Sequence, residues 1–181
     1  ELANEKTCFS PQSPYAVGKA ASYWLVSNYR DSYNQFACNG ILFNHESPLR
    51  PSRFVTQKIV QTAHRIVKGS GEKLVLGRLD IIRDWGWAPD YVEAMWLMLQ
   101  QSTPKDFVIA TGESNSLEYF VSEVFNFFGL KWREYVVQES KYFRPSEPQI
   151  SRADPSKAFQ ELNWKATRSL KEIVVLLCEF E

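Results

Sequence analysis

The sequence predicts an α/β fold with some parallel sheet, and three observations carry that expectation. Apolar stretches of strand length alternate with stretches of helical period. The two clearest strands, Phe36–Phe43 and Asp106–Ala110, are mostly apolar, as strands buried on both faces are. Cap and stop residues punctuate the helical stretches where helix ends should fall.

The elements follow in order. Residues 4–14 are polar with Pro11 and Pro14, hence a loop. Ser13 suits an N-cap and Pro14 the first helical position. Val17, Ala20, Ala21, Trp24, Leu25 and Tyr29 then keep a helical period to about Ser32. The strand Phe36–Phe43 runs into Asn44-His45-Glu46-Ser47-Pro48. Polar groups thus stand at a strand's C-terminal end, where open α/β sheets bind ligands. A basic loop covers 49–54. Val55, Ile59, Ala63, Ile66 and Val67 predict a helix over 55–68, stopped by Gly69. Lys73–Leu76 is a short strand, and 89–101 a helix with Pro89 at its start. Thr111-Gly112 closes the strand Asp106–Ala110. Ser116 caps a helix to Phe128, ended by Gly129. Residues 131–150 are irregular apart from one strand near Glu134–Val137. Asp154-Pro155 opens a short helix to Leu162, and a capping box from Ser169 to Glu172 opens the last helix. Two convincing core strands are too few for a stable doubly wound sheet. Either the C-terminal lobe folds alone, or most of the sheet lies outside these residues.

Composition narrows the function. The 181 residues are 44% hydrophobic and 23% charged, a globular balance. Lys plus Arg and Asp plus Glu number 21 each, so net charge points to no nucleic acid and no anionic membrane as partner. No apolar run approaches the roughly 18–20 residues that span a bilayer, and the polar opening residues lack a signal peptide's apolar core. Cys8, Cys38 and Cys178 are odd in number without metal-ligand spacing, which reads as reduced thiols in a cytoplasmic protein. His45 and His64 are too few for a histidine-rich metal centre, and no metal site is expected. The chain opens on Glu1 rather than Met, which reads as a piece of a longer protein.

Four groups could carry chemistry. Tyr15 and Lys19 lie four apart on a helix, on one face. An ammonium beside a phenol favours phenolate, a usable base near neutral pH; the alternative is a surface Lys beside a half-buried Tyr. Asn44-His45-Glu46 is either a strand-ending turn or a ligand shelf. Arg83, before Asp84-Trp85-Gly86-Trp87, could fork a phosphate or lie at a loop–helix junction. Arg144 and Glu147, stiffened by Pro145, could meet a phosphate and a ribose or form a solvated ion pair. No Gly-x-Gly-x-x-Gly and no Gly-x-x-x-x-Gly-Lys-Ser/Thr loop is present. The six tryptophans read as core or interface anchors.

Together these strings resemble the GDP-mannose 4,6-dehydratase family of extended short-chain dehydrogenases over essentially the whole chain. Ser13-Pro14-Tyr15-Ala16-Val17-Gly18-Lys19 carries the resemblance, as do Asn39-Gly40-Ile41-Leu42-Phe43-Asn44-His45-Glu46-Ser47-Pro48 and Phe54-Val55-Thr56-Gln57-Lys58. Arg83-Asp84-Trp85-Gly86, Tyr142-Phe143-Arg144-Pro145 and Asp154-Pro155-Ser156-Lys157-Ala158 follow in the family's order. The resemblance implies the C-terminal part of such an enzyme, namely the end of a Rossmann-like sheet plus a small α/β substrate-binding lobe. Residues 1–48 would be the tail of the dinucleotide domain and 49–181 mainly the GDP-sugar lobe, with 80–128 packing back on the Rossmann-like part.

The resemblance further implies NADP as cofactor, GDP-mannose as substrate, and a dimer or tetramer at full length. Tyr15 and Lys19 would be catalytic, and Lys19, His45 and Arg50 would contact NADP. Asn44, Val55, Lys58, Arg83, Arg144 and Glu147 would contact the GDP-sugar. In the implied reaction Tyr15 takes the 4-hydroxyl proton as hydride leaves C4. A Glu upstream of residue 1 removes the C5 proton as the 6-hydroxyl departs, and the hydride returns to C6. The fragment alone is expected not to turn over. A related nucleotide-sugar reductase or epimerase, or a non-catalytic GDP-sugar-binding module, remains as alternative. Leu49 stands where the family often has a first arginine, which bears on subunit assembly.

Overall fold

A computed structural model describes residues 2–143, 146 and 148–181. Glu1, Arg144, Pro145 and Glu147 lie outside the described residues. The chain runs α1 (Pro14–Tyr33), β1 (Gly40–Leu42), β2 (Asn44–Glu46), α2 (Val55–Val67), β3 (Leu74–Leu76), β4 (Ile82–Arg83) and β5 (Trp85–Trp87). Then follow α3 (Ala88–Leu99), β6 (Phe107–Ile109), β7 (Asn115–Ser116), α4 (Leu117–Phe127), β8 (Val136–Gln138), α5 (Ser156–Leu162) and α6 (Leu170–Phe180).

Every expected helix is present, and the caps explain where they begin. Ser13 accepts the Ala16 N–H and Ser116 the Tyr119 N–H. Ser169 and Glu172 form the full reciprocal box. The strands differ more from expectation. Among the described residues eight short strands pair two by two: β1 with β6, β2 with β5 and β3 with β8 in parallel, and β4 with β7 antiparallel. The polar Asn44–Glu46 triplet is itself a strand, in register with Trp85-Gly86-Trp87. The expected strand Phe36–Phe43 shrinks to Gly40–Leu42 and is half-exposed rather than buried on both faces. Among the described strands β1 has one neighbour, β6, whose three residues are fully buried.

Among the described residues apolar burial, the dominant favourable term, forms two main clusters and a small third one of Val108, Ala110 and Ala153. The larger core joins α2, α4 and α6 over Leu74, Leu76, Leu79, Ile81 and Trp85. The second packs α3 and α5 on the Phe107 and Ile109 face of β6. Of residues 80–128, α3 and β6 therefore lie with β1, whereas α4 lies in the larger core. Two buried carboxylates join loops to this frame. Asp84 accepts the Thr111 N–H, the Thr111 hydroxyl and the Gly112 N–H at 2.9–3.0 Å. Asp90 accepts the Thr167 N–H at 2.8 Å and its hydroxyl at 2.9 Å. Burial pushes the Asp84 carboxyl above its ordinary value, against the pull of those donors.

α1 stands apart, because none of its residues is buried. It is moored from its C-terminal half by polar contacts. Arg30 forks Asp106, with Nη1 to Oδ1 at 2.6 Å and Nη2 to Oδ2 at 3.1 Å. Asp106 also accepts the Asn39 N–H at 2.8 Å. Burial alone would raise the Asp106 carboxyl, but Arg30 and the Asn39 N–H outweigh it and hold it low. Trp24 and Trp96, expected as anchors, are 64% and 60% exposed, whereas Trp164 is buried and donates Nε1–H to the Asp90 carbonyl.

Candidate functional site

The chain's chemistry gathers on the stretch from β2 into α2. β2 alternates its side chains, so His45 and Glu46 face opposite ways. On one side the His45 ring lies over Tyr91, centroids 4.8 Å apart. Its Nδ1 is 2.9 Å from the Phe43 carbonyl, which can only accept. Nδ1 therefore carries the proton, and Nε2 is the acceptor of the neutral ring. Tyr91 is wholly buried and crosses Gly86 so closely that a Cβ there would sit 2.3 Å from its ring. Only glycine fits at that point, and the site floor depends on it. Burial raises the Tyr91 phenol above its ordinary value, so it serves as a wall rather than a base.

On the other side Glu46 is 1% exposed. Its Oε2 accepts the Thr56 hydroxyl at 2.7 Å, and its Oε1 lies 3.2 Å from Arg50 Nη1. Arg50 Nη1 also donates to the His45 carbonyl at 2.6 Å, and the guanidinium carbon sits 4.2 Å over the Phe54 ring. Among the described residues Arg50 Nε is the one buried side-chain donor or acceptor without a hydrogen-bond partner. Burial drives the Glu46 carboxyl from 4.5 up to about 7, though Arg50 and Thr56 pull it back. Gln57 Nε2 fastens the loop to α2 by donating to the Ser47 carbonyl at 2.9 Å.

Further along α2, Lys58 Nζ donates to the Val75 carbonyl at 2.6 Å and stands 5.4 Å from the Tyr142 ring. Gly77 brings the chain against Tyr142, where a Cβ would meet the Tyr142 carbonyl at 2.8 Å. Tyr15 and Lys19 stand in successive turns of α1, both exposed, Tyr15 at 78%. A cleft of about 260 Å³ between β5, the Thr111–Asn115 turn and the start of α6 holds none of the sequence-predicted residues.

The chain matches the family model described as GDP-mannose 4,6 dehydratase over residues 1–176. The chain belongs to that family. It is 49% identical over 176 residues to GDP-mannose 4,6 dehydratase 2 of Arabidopsis thaliana, a match covering 97% of this chain and 47% of the relative. It is 46% identical to the Homo sapiens GDP-mannose 4,6 dehydratase, covering 94% of this chain and 50% of the relative. The chain thus spans about half the length of the curated relatives it matches. Among solved structures, the dTDP-glucose 4,6-dehydratase of Bacillus anthracis in complex with NAD superposes with a TM-score of 0.89 at 18% identity. That match covers 99% of this chain and 55% of the other. The likeness shows that the chain shares the fold of that structure.

Within this dehydratase family fold, Asn44, His45, Arg50, Val55 and Lys58 fall on one continuous stretch, β2 through the first turns of α2. Arg83 is on β4, not at a loop–helix junction, and its Nη1 donates to the Ile82 carbonyl at 2.8 Å. Arg144 and Glu147 lie outside the described residues. Tyr15 and Lys19 share a helix face, but no buried contact joins α1 to β2. Sequence reasoning singled out Glu46 within the Asn44–Glu46 triplet as part of a turn or ligand shelf, not as a buried support, and it missed the supporting roles of Thr56, Asp84 and Tyr91. A carboxylate ending a strand with Arg four residues on was the one available signal for Glu46.

Proposed function

We propose that the chain is the C-terminal part of a GDP-mannose 4,6-dehydratase, a lyase that uses NADP and forms GDP-4-keto-6-deoxymannose. The observation that carries this reading is family membership across nearly the whole chain, with the motif positions Tyr15, Lys19, His45, Arg50 and Lys58 all present. Residues 1–48 belong on this reading to the dinucleotide half, 49–181 mainly to the sugar-nucleotide lobe, and the setting is cytoplasmic, with the full-length protein a homo-oligomer.

The residues present fit an anionic nucleotide. Arg50 Nε is a buried N–H with no acceptor among the described residues, and His45 keeps Nε2 available on a ring fixed by Phe43. Lys19, His45 and Arg50 would hold NADP, and Asn44, Val55, Lys58, Arg83, Arg144 and Glu147 the GDP-sugar. A bound nicotinamide supplies the hydride acceptor at C4 and the hydride donor at C6. Tyr15 takes the 4-hydroxyl proton as general base, with Lys19 four residues on along the same helix face as its partner in the motif. The exposure of Tyr15 leaves its hydroxyl open to a substrate. The carboxylate that removes the C5 proton belongs to the rest of the protein.

Mass spectrometry of full-length protein with GDP-mannose and NADP tests the reading. Loss of one water from the sugar nucleotide, without net consumption of cofactor, is the expected result. Stoichiometric oxidation of NADPH would point to a reductase, and unchanged GDP-mannose would overturn the proposal.

A further inference from the structure

Glu46 is buried, and of the residues proposed to bind ligand it is paired with Arg50. A buried carboxylate is costly, and an apolar residue in its place would commonly serve stability as well or better. What Glu46 does that an apolar residue could not is bind two things at once. One oxygen takes the Thr56 hydroxyl in the first turn of α2, and the other faces Arg50 Nη1. Arg50 in turn caps the His45 carbonyl, leaving Nε as the buried donor without a partner. The chain between them is folded tightly, with Arg50 N–H on the Ser47 carbonyl and Phe54 N–H on the Pro51 carbonyl.

We propose that Glu46 is a positioning residue: its carboxylate fixes the Arg50 guanidinium and the start of α2, so that Arg50 meets the phosphate-bearing ligand in a preset orientation. The identity of that ligand as NADP rests on the dehydratase reading; the fixing of the 47–56 loop does not. The groups facing Glu46 are few. The loop offers Arg50, α2 offers the uncharged Thr56, β5 places Trp87 in register, and His45 points to the opposite face toward Tyr91 of α3. The loop's hold should therefore follow one ionisation, weakening as pH falls through about 7.

The test uses the full-length protein, wild type and Glu46→Gln, with NADPH binding followed by fluorescence and backbone amide exchange followed across 47–58. About tenfold weaker NADPH binding is expected, the worth of one charge-assisted hydrogen bond, with kcat at saturation within about threefold. Wild-type affinity should fall on acidification through about pH 7, and the variant should not follow it. Exchange should rise in 47–58 and stay unchanged in α4 and α6. Wild-type affinity, pH profile and exchange in Glu46→Gln would overturn the proposal, as would a rise spread evenly over the chain. If wild type binds no NADPH, the dehydratase reading fails and the exchange pattern alone decides for or against the positioning role. Should Glu46→Gln not fold, Thr56→Val removes one of the donors that stabilise the carboxylate. The midpoint of loop exchange should then move to higher pH, and an unmoved midpoint counts against the proposal.

Discussion

α1 and α2 both carry residues expected at the site, yet they are held by opposite means. α2 buries seven residues and has no side-chain cap. α1 buries none, but has a Ser13 cap, a proline at its start and an αL stop at Asn34. α2 is a helix because the fold needs its apolar face, as most helices in proteins are. α1 is written locally and moored at one end by Arg30 on Asp106. The residues proposed to bind the sugar nucleotide, Val55 and Lys58, therefore sit on the buried helix. The residues proposed to do chemistry, Tyr15 and Lys19, sit on the helix that this chain leaves uncovered. The proposed base thus stands on an exposed helix, whereas the proposed binding residues stand on one that this chain packs into its core.

The contrast can be broken or sharpened by substitution. Ile59→Ala in α2 should cost about 4 kcal/mol by transfer and cavity, while Trp24→Ala in α1 should change the chain's stability by less than about 0.5 kcal/mol. Urea unfolding of both checks this, and equal losses would erase the distinction. Burying the Glu46 charge costs the fold as a whole, so global stability responds to pH in the sense opposite to the local Glu46–Arg50 tie, which loosens on acidification. Glu46 has a folded value raised from 4.5 to about 7, so the folded state holds the extra proton between those values. Stability should therefore fall as pH rises from about 4.5 toward 7, by an amount of the order of 3 kcal/mol. Glu46→Gln should flatten that slope in thermal melts. Asp106→Asn loosens the mooring of α1 and should cost about 2 kcal/mol; amide exchange should rise along α1 and leave α2 alone. Ser13→Ala should cost about 1 kcal/mol, visible as fraying of the first turn of α1.

The same contrast explains what could be read in the sequence. Caps and helical period are local, so Ser13-Pro14, Ser116 and the Ser169–Glu172 box announced their helices. The short strands Asn44–Glu46, Ile82–Arg83, Trp85–Trp87 and Asn115–Ser116 exist only through their partners, and their mixed residues carry no period of their own. Periodicity also marks an apolar face without saying what covers it, so Trp24 and Trp96 passed for anchors. At the candidate site, the run 44–58 was singled out because its strings are family-specific. The burial of Glu46 was not foreseen, because a polar triplet at a strand end looks like a solvent-facing shelf until Thr56 and Arg50 are seen to close over it. Asp84 and Tyr91 were hidden likewise, their roles arising from chain segments distant in sequence.

Among the described residues no helix is long and apolar enough to cross a membrane, the exposed α1 included. On the proposed dehydratase reading, α1 presents the phenol that starts an internal redox cycle. Following deuterium from C4 of labelled GDP-mannose in the full-length protein asks this most directly. The account predicts label in the new C6 methyl group for wild type, and at least about a hundredfold slower transfer for Tyr15→Phe with the fold intact. Product lacking the label, or a Tyr15→Phe protein as fast as wild type, would contradict it.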